Sequence, residues 1–424
     1  MAGTHSDGGF GGVAPGRQAQ NARGTGGERW GAAWAAMFGV FVLVVAEQLP
    51  IGLLIQISPD LGVTEGTAGL SVTVPSIVAG VAALLVPLVV GKLDRRVLLV
   101  ALMALMTAAN AASWLAPTFE VLLLSRVFVG VAIGGFWAIG GGIAVRLVSA
   151  ANVPKATSII FAGVAAANVL GVPLGTILGT GLGWRLAFAA LGVAALVALL
   201  WLIGLLPPLS AQTPVRPRML ASQLRNKGVA LGLIATLLSV TGHFAAFTFV
   251  GPILRDIAGL SASAVGPVLL IYGLLGLGGN FAAGALLGRG VPAVVFSILA
   301  VTTVALGLLP AVGLQPVSGV LLLFLWGLFF GGLSVSMQTW MIKAAPTAVE
   351  GATSLWVGVW NLSIGLGALA GGVVIHTLSL ESTVWIAAAL ALAAALLVAT
   401  TRSLKETVPP ATGTVEAVEA VEAR

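Results

Sequence analysis

Long apolar runs, separated by short polar segments, fill most of the chain. A transmembrane helix needs about 20 consecutive apolar residues, and more if it is tilted. The runs therefore predict an all-α membrane protein with twelve transmembrane helices. We place these helices at residues 31–57, 67–90, 97–115, 120–146, 155–180, 185–206, 229–253, 263–287, 291–312, 316–342, 348–376 and 382–401.

Polar segments divide the twelve predicted spans into two sets of six. Residues 207–228, between the sets, are rich in Pro and basic residues and therefore predict a cytoplasmic linker. We predict one six-helix bundle over residues 31–206 and a second over residues 229–402. Residues 1–30 are polar and Gly-rich, and residues 403–424 repeat Val-Glu-Ala. Both segments have too little apolar content to pack and are predicted to be disordered cytoplasmic tails.

The composition excludes a soluble fold. Hydrophobic residues make up 58% of the chain and charged residues 8%, whereas a soluble domain carries about 25% charged residues. We therefore expect a lipid bilayer around the protein. The chain has no Cys and only three dispersed His residues, so neither a metal site nor a bound cofactor is predicted. No P-loop is present, and an ion gradient or a partner protein would have to drive uphill transport.

The net charge of +6 follows from the predicted topology. If the N-terminus is cytoplasmic, all Lys and Arg residues except Arg126, Arg185 and Arg255 fall on the cytoplasmic side. Cytoplasmic loops are enriched in Lys and Arg, so we predict that both termini are cytoplasmic. This distribution accounts for the basic pI, and we do not expect nucleic-acid binding.

The two halves repeat each other. Agreement of several matches within one residue of offset indicates an internal duplication. Two parallel six-helix halves enclose a cavity near the midplane, which is the design of a transporter. The matches are Gly130, Gly134 and Gly135 with Gly327, Gly331 and Gly332 at an offset of 197, and Gly171 and Gly175 with Gly367 and Gly371 at an offset of 196.

Glu47 is the one acidic residue that we place well inside a span. It lies 11 residues before Ser58, about 16 Å from the outer end of the first helix, and hence near the bilayer midplane. A lone buried carboxylate in a cavity suits the binding of a proton or another cation. Alternatively, Glu47 is a structural group that hydrogen-bonds to a neighbouring helix.

Arg126 lies within the fourth predicted span, 11 residues before Trp137, so these two residues share one helix face. A cation at this depth is costly, and we expect it to face the interior and to have a partner there. The alternative is that the Arg126 side chain extends to the outer membrane interface.

A charged loop with the sequence Gly91-Lys-Leu-Asp94-Arg95-Arg96 joins the second and third predicted spans. Gly91 permits a tight turn, and Asp94 is placed to cap a helix or to pair with a cation. We predict that this loop is a cytoplasmic gate, which latches the two halves when that side is closed. Alternatively, Arg95 and Arg96 only anchor the topology. The corresponding loop of the second half has Arg289 but no acid.

The fifth predicted span carries Gly171, Gly175 and Gly179 at intervals of four residues, with Pro173 among them. Small residues at this spacing form a flat face for close helix packing in membranes, and the proline fixes a kink. We predict that this face packs at the interface where the two halves rock against each other.

Other polar and aromatic residues of the spans are candidates for the wall of a substrate cavity. Aromatic planes with amide and imidazole partners suit a flat heterocyclic ligand. Alternatively, the Trp residues anchor the helices at the lipid interface, and His243 is a packing residue. The candidates are Phe136, Trp137, Asn168, His243, Phe247, Asn280, Gln338, Trp340, Trp356, Trp360 and Asn361.

These segments together resemble the Major Facilitator Superfamily over residues 31–402. The loop from Gly91 to Arg96 is similar to the loop 2–3 signature of that family, and Arg126 to its span 4 signature. Gly171-Val-Pro173-Leu-Gly175 resembles the span 5 signature of exporters. Glu47-Gln-Leu-Pro50 resembles the first span of the 12-span drug:proton antiporters.

Within this group, Ser71-Val-Thr-Val, Gly134-Gly-Phe-Trp-Ala138 and Val153-Pro-Lys-Ala156 are similar to exporters of purine ribonucleosides. The resemblance implies efflux of a nucleoside such as inosine or guanosine across the bacterial inner membrane, driven by proton entry and alternating access. It also implies that Glu47 and Arg126 couple the proton to the cargo. The expected partners are a small-molecule substrate, protons and the bilayer, and we expect a monomer.

Other functions stay open at this point. Sugar and multidrug exporters of the same group share several of these segments. A proton-coupled importer is a further alternative, although the exporter-like fifth span argues against it. A membrane-embedded enzyme would need a carboxylate pair, a metal cluster or an activated nucleophile, which one buried Glu and dispersed His residues do not supply. A receptor or channel has no evident use for the span 5 pattern.

Overall fold

The computed structural model describes residues 28–90, 93–140, 143–149, 152–209, 223–346 and 348–401. Twelve helices in this part of the chain are long and apolar enough to cross a membrane, which confirms the twelve predicted spans. The predicted tails and most of the linker lie outside the described residues.

We number the spans α1 to α12 in chain order. Span α10 consists of two segments, Pro316–Phe330 and Leu333–Ala344. The other spans are α1 Trp30–Asp60, α2 Leu70–Val90, α3 Arg95–Trp114, α4 Phe119–Gly140, α5 Val153–Leu182, α6 Trp184–Leu205, α7 Lys227–Phe247, α8 Ala262–Leu286, α9 Val291–Val312, α11 Val349–Thr377 and α12 Leu380–Thr400.

Successive spans are antiparallel, so every span runs between the same two ends of the molecule. The start of α1 and the end of α12 lie at one end, together with cations such as Lys155 and Lys343; we call it the basic end. The opposite end, where α1 ends and α2 begins, is called the far end. Among the described residues, Arg185 and Arg255 are the only cations at the far end, in line with the predicted charge pattern.

The two halves have the same internal packing. In the first half α1 packs on α5, α2 on α4 and α3 on α6; in the second half α7 packs on α11, α8 on α10 and α9 on α12. Helix α2 packs on α11 and α5 on α8, and these two pairs join the halves. The structure is therefore a pair of pseudo-symmetric six-helix bundles, as the repeat predicts.

The predicted repeat offset also holds in three dimensions. Gly175 of α5 lies against the carbonyl oxygen of Leu49 on α1, and Gly371 of α11 lies against that of Ala245 on α7. Both residues of the first contact are 196 positions before those of the second. This offset therefore gives the equivalent positions of α1 with α7 and of α5 with α11.

The bundles meet at the far end. Gly66, in the short helix Glu65–Ala68 before α2, packs against the backbone of Gly372 on α11. Ile55 of α1 lies beside Gly251, just beyond α7. Closer to the middle of the spans, Gly80 of α2 approaches the backbone of α11. These contacts close the far end of the molecule.

Two spans are less regular than the sequence pattern predicts. Helix α7 ends at Phe247 instead of continuing to residue 253, and a short helix Val250–Pro252 and a π-helical turn Ile253–Ile257 follow it. Pro252 has no amide hydrogen with which to continue a regular helix. Helix α10 is interrupted at Gly331 and Gly332, where Gly331 lies against the backbone of Gly276 on α8.

Candidate functional site

Glu47 lies near the middle of α1 and is 8% exposed. Its Oε1 accepts a hydrogen bond of 3.3 Å from the hydroxyl of Ser76 on α2. The hydroxyl of Ser76 also lies 2.9 Å from the carbonyl oxygen of Val72, one turn earlier in the same helix. A buried carboxylate normally has several donors or a paired cation. Glu47 has this one hydrogen bond among the described residues, which leaves it a ready acceptor for a proton.

Arg126 is completely buried in the first bundle. Its Nη2 donates a hydrogen bond to the carbonyl oxygen of Ala46 on α1, and its guanidinium carbon lies 5.4 Å from the ring centroid of Phe188 on α6. The side chain is thus directed into the bundle and not toward the membrane interface. Its Nε and Nη1 have no hydrogen-bond partner within the described part of the chain.

Proline explains why Arg126 finds an acceptor there. In an α-helix the carbonyl of Ala46 would accept from the amide of residue 50, but residue 50 is Pro50 and has no amide hydrogen. Helix α1 continues through this proline, so the Ala46 carbonyl is left without its helical donor. Arg126 of α4 supplies the missing donor. This hydrogen bond holds the guanidinium at Ala46, the residue that precedes Glu47 in α1.

Glu47 and Arg126 are neighbours but do not form an ion pair. Ion pairs form elsewhere, between Arg185 and Asp60 and between Arg255 and both Glu65 and Asp256. Glu47 and Arg126 thus share a buried environment without a direct contact that neutralises both charges. Gain or loss of one proton at Glu47 changes the net charge of this buried site by one unit.

An amide pair lies beside Glu47. The Gln48 side chain on α1 donates from Nε2 to Oδ1 of Asn168 on α5, at 2.7 Å. Gln48 is half-buried and Asn168 is exposed. Sequence reasoning selected Asn168 but missed Gln48; its polarity inside a span, one residue after Glu47, was the available signal.

The second bundle holds a cluster of aromatic side chains, built around His243 of α7. The rings of His243 and Phe330 are nearly parallel, with centroids 3.5 Å apart, and Phe247 lies 4.9 Å away on the same helix. Trp326 of α10 donates from Nε1 to Nδ1 of His243 at 3.1 Å. A neutral imidazole that accepts at Nδ1 carries its hydrogen on Nε2. Tyr272 of α8 completes the cluster, 5.1 Å from Phe247 and 5.9 Å from Trp326.

The cluster contains two predicted residues, His243 and Phe247. Four others were missed: Phe244, whose ring centroid lies 4.9 Å from that of His243, Tyr272, Trp326 and Phe330. The missed residues lie in strongly apolar segments, where an aromatic residue is indistinguishable from a packing residue. The only signal was Tyr272, which is the single Tyr of the chain.

Glu47 and His243 occupy equivalent positions of the two bundles, because they are separated by the offset of 196 that relates α1 to α7. The first bundle therefore presents a carboxylate where the second presents an imidazole.

The remaining cavity candidates are divided between the core and the helix surfaces. Phe136 is 1% exposed and lies beside Gly39 in the first bundle, so it is a core residue; this corrects its assignment to the cavity wall. Trp137 is half-buried and packs against Phe161 of α5, with centroids 6.1 Å apart. Asn280 donates to the carbonyl oxygen of Gly331 at 3.2 Å, within the second bundle.

Helices α10 and α11 carry the last candidates. Trp356 and Trp360 form an edge-to-face pair with centroids 5.4 Å apart, and Asn361 donates to the carbonyl oxygen of Val357. Gln338 is half-buried. Trp340 donates from its indole nitrogen to the carbonyl oxygen of Gly228 at 2.9 Å, which ties α10 to the start of α7.

The predicted cytoplasmic gate is only partly described, because Gly91 lies outside the described residues. Asp94 caps α3 by accepting from the amide of Arg96 at 2.8 Å, and it also accepts from the amide of Leu209 at 2.9 Å. Arg96 donates to the carbonyl oxygen of Ile203 on α6, and Arg95 is buried. These bonds stay within the first half and its adjoining linker residues, so a latch between the halves stays a prediction.

The Gly-rich face of α5 is not at the interface between the halves, which corrects the prediction. Gly171 packs against the side chain of Gln48 and Gly175 against Leu49, both on α1 of the same bundle. Pro173, which lies between these two glycines in the sequence, is buried. The opposite side of α5 faces the second half, where Val169 contacts Gly273 of α8. The four-residue spacing of the glycines identified one face of α5 but not the helix that packs on that face.

An ion pair between the halves lies at the far end. Arg255, in the π-helical turn, donates to Glu65 across the interface at 3.4 Å and to the adjacent Asp256 at 2.7 Å. The hydrogen bond that Arg255 donates to Asp256 raises the pKa of the Arg255 guanidinium, and the nearby Glu65 acts in the same direction. Arg185 and Asp60 form another pair at this end, but within the first bundle.

Comparison with known proteins identifies the family to which this fold belongs. The family model described as the Major Facilitator Superfamily matches residues 36–352, which is most of the chain. This chain belongs to the Major Facilitator Superfamily. Among the described residues of this superfamily member, no three His, Cys, Asp or Glu side chains are grouped to hold a metal ion.

Relatives within the superfamily include purine ribonucleoside efflux pumps named NepI. Those of Salmonella paratyphi A and Salmonella typhi are each 34% identical to this chain over 370 residues, which is 87% of this chain and 93% of theirs. The crystal structure of the human organic anion transporter MFSD10 (TETRAN) superposes with a TM-score of 0.66 at 16% identity, and covers 87% of this chain and 99% of its own. Membership in the superfamily identifies the protein as a multi-pass membrane transporter and not an enzyme.

Proposed function

We propose that this transporter exports purine ribonucleosides such as inosine or guanosine in exchange for protons, across the bacterial inner membrane with both termini in the cytoplasm. The cargo is proposed because of the efflux pumps to which the chain is 34% identical. The coupling ion is proposed because of the chemistry of the first bundle.

The observation that carries the proposal is the incompletely satisfied carboxylate of Glu47, held in the middle of the spans beside Arg126. A buried charge is costly unless it is paired. A proton on Glu47 removes the negative charge, and loss of the proton leaves a carboxylate next to a guanidinium that has free donors. Both protonation states of Glu47 are therefore stabilised to some extent, as a proton carrier requires.

The aromatic cluster of the second bundle supports a flat cargo. Offset-stacked and edge-to-face aromatic contacts favour planar ligands, and an imidazole Nε2–H offers one donor to a heterocycle. The amides of Gln48 and Asn168 offer donors and acceptors for the hydroxyl groups and base edges of a nucleoside.

The closed far end suggests the order of events. Cargo enters from the basic end while the Glu65–Arg255 pair and the helix contacts hold the far end shut. Opening of the far end releases the cargo and admits a proton to Glu47. Exchange drives net export only if the affinity for cargo differs between the two open states, which the charge change at Glu47 supplies.

Transport assays with the full-length chain test the proposal. Inside-out vesicles from cells that produce the protein should accumulate labelled inosine or guanosine when the vesicle interior is acidified, and should lose this uptake when a protonophore removes the gradient. Vesicles without the protein are the control.

The alternatives have distinct outcomes in the same assay. Preferential uptake of a sugar or of unrelated drugs would replace the nucleoside as cargo. Nucleoside movement that is indifferent to the proton gradient would remove the coupling. Net movement out of these vesicles along with the proton would indicate an importer.

A further inference from the structure

A groove lies on the outside of the second bundle, near the basic end. Residues of α8, α9 and α10 line it, among them Ala282, Leu286, Ala293 and Phe329, and its volume is about 350 Å³. Ligand sites in proteins range from about 300 to 1,000 Å³. Helix α9 packs on α10 and α12 of the same bundle, and Ala282, Leu286 and Ala293 are exposed. The groove therefore opens toward the membrane.

A single cation lies at the mouth of this apolar groove. Arg289 lines the groove, is exposed and sits in a short helical turn, Leu287–Arg289, between α8 and α9. It takes part in none of the hydrogen bonds or ion pairs of the described residues. The groove thus combines an apolar channel with a free guanidinium at the level where the spans leave the membrane.

The equivalent corner of the first bundle has a bulkier wall and a different charge pattern. Gly134 contacts Ala79 as Gly331 contacts Gly276, so an offset of 197 relates α2 to α8. This offset places Leu85 where the groove has Ala282, and Lys92 at the position of Arg289. Asp94, which caps α3, corresponds to Gly290, which gives α9 no side-chain cap. The first bundle therefore has an acid beside its cations at this corner, whereas the second has a cation without the acid.

We propose that this groove binds one anionic phospholipid from the leaflet at the basic end, with its phosphate on Arg289 and an acyl chain along Ala282 and Ala293. A guanidinium matches the geometry of a phosphate and binds it with two parallel hydrogen bonds. Lipid tails are as apolar as the groove, so leaving the bilayer for the groove gains little beyond packing. The charge on Arg289 accordingly supplies the preference for an anionic headgroup.

The groove is connected to the helices that move during transport. Helix α8 forms one side of the groove, and it also makes contacts across the halves through Gly266 with Ile177 and Gly273 with Val169. A lipid held between α8 and α9 thus acts on a helix of the moving interface. This inference does not depend on the identity of the cargo.

Native mass spectrometry of the full-length protein tests the inference. The protein in detergent is titrated with phosphatidylglycerol or with phosphatidylcholine of the same acyl chains. We expect one copy of phosphatidylglycerol to be retained more tightly than the others and more tightly than phosphatidylcholine. Arg289→Gln should weaken its retention about fivefold, the effect of one cation at a charged lipid surface. Ala282→Leu, which introduces the residue of the first half, should remove the bound copy of either lipid.

Matched variants serve as controls. Arg225→Gln removes another exposed cation of the basic end, and Ala285→Leu enlarges an exposed residue of α8 outside the groove; both should retain the lipid. Thermal unfolding in detergent checks that each variant is folded. Unchanged phosphatidylglycerol retention in folded Arg289→Gln, or equal retention of the two lipids by the unmodified protein, would overturn the proposal. Displacement of the lipid by inorganic phosphate would do so as well, because it would indicate a site for a soluble anion.

Discussion

The middle of α1 and the middle of α7 are equivalent in the two bundles but differ in chemistry. In the first bundle, Glu47 lies with Ser76 and near Arg126, so the position is ionisable and only partly satisfied. In the second bundle, His243 is enclosed by aromatic rings and accepts a hydrogen bond from Trp326. The packing of α1 on α5 and of α7 on α11 is nevertheless the same, down to the contacts of Gly175 and Gly371.

This difference shows how the two halves of a duplicated fold can take different roles. Close contacts of glycines with backbone determine how the helices pack, and they recur in both halves. Side chains that point away from those contacts are free to differ, so one half carries a buried carboxylate and the other a buried aromatic cluster. If this division is correct, changes in the first bundle alter coupling, and changes in the second alter cargo affinity.

The largest effect is expected from Glu47→Gln. The amide keeps the size and the hydrogen-bonding capacity of the side chain but has no carboxylate to protonate. Transport driven by a pH gradient should be abolished, whereas insertion in the membrane and cargo exchange at equal pH should persist. Vesicle uptake with and without an imposed gradient measures both activities. Persistence of gradient-driven efflux in this variant would remove Glu47 from the coupling mechanism.

The matching change in the second bundle is His243→Gln. Glutamine preserves an acceptor for Trp326 but removes the ring that stacks on Phe330. One aromatic contact is worth about 0.5–1.5 kcal/mol, so KM for the cargo should rise between about twofold and tenfold, and the pH dependence should be unchanged. A variant with normal KM and lost pH dependence would reverse the assignment of the two bundles.

Pro50→Ala tests the link between the helix break and the coupling site. Alanine restores an amide hydrogen that can donate to the Ala46 carbonyl, so Arg126 must then compete for this acceptor. A guanidinium freed in this way can approach Glu47 and stabilise the carboxylate. Half-maximal transport should therefore move to lower pH. Pro59→Ala, at the exposed end of the same helix, is the control, and an identical pH profile in both variants would argue against the link.

Asp94→Asn tests the predicted gate at the basic end. Asparagine is as good a helix cap as aspartate, so the start of α3 should remain intact while the negative charge is lost. We expect slower turnover with little change in cargo binding, measured as kcat and Kd in the same preparation. Equal turnover would limit Asp94 to the structural role that its bonds to Arg96 and Leu209 already define.

The smallest effect is expected at the far end. The Glu65–Arg255 pair is partly exposed, and an ion pair near the surface contributes about 0.2–1 kcal/mol. Glu65→Gln should therefore shift the population toward an open far end by at most about fivefold. Asp60→Asn breaks an ion pair within the first bundle and should cause no such shift. The chain has no Cys, so spin labels on Thr118→Cys and Gln315→Cys, one in each half, report the distance directly. An equal response to both substitutions would mean that Glu65–Arg255 does not hold the halves together.

Several features of the site were within reach of the sequence, and others were not. Glu47, Arg126 and Pro50 stand out because polar groups and proline are costly inside a span. Their relation was hidden, since the meeting of Arg126 with the Ala46 carbonyl depends on how α4 crosses α1. The face formed by Gly171 and Gly175 was recognised but assigned to the wrong neighbour, because helical periodicity identifies a face without identifying what packs on it.

By itself, the sequence determined twelve spans, two duplicated halves and an excess of cations at one end, because the bilayer imposes a length and a polarity on every segment that crosses it. Only the tertiary structure decided which helices meet, that Trp326, Tyr272 and Phe330 surround His243, and that the halves are closed at the far end. The reason is physical: lipid selects segments by average hydrophobicity, whereas helix partners are selected by local shape and by single hydrogen bonds between residues far apart in the chain.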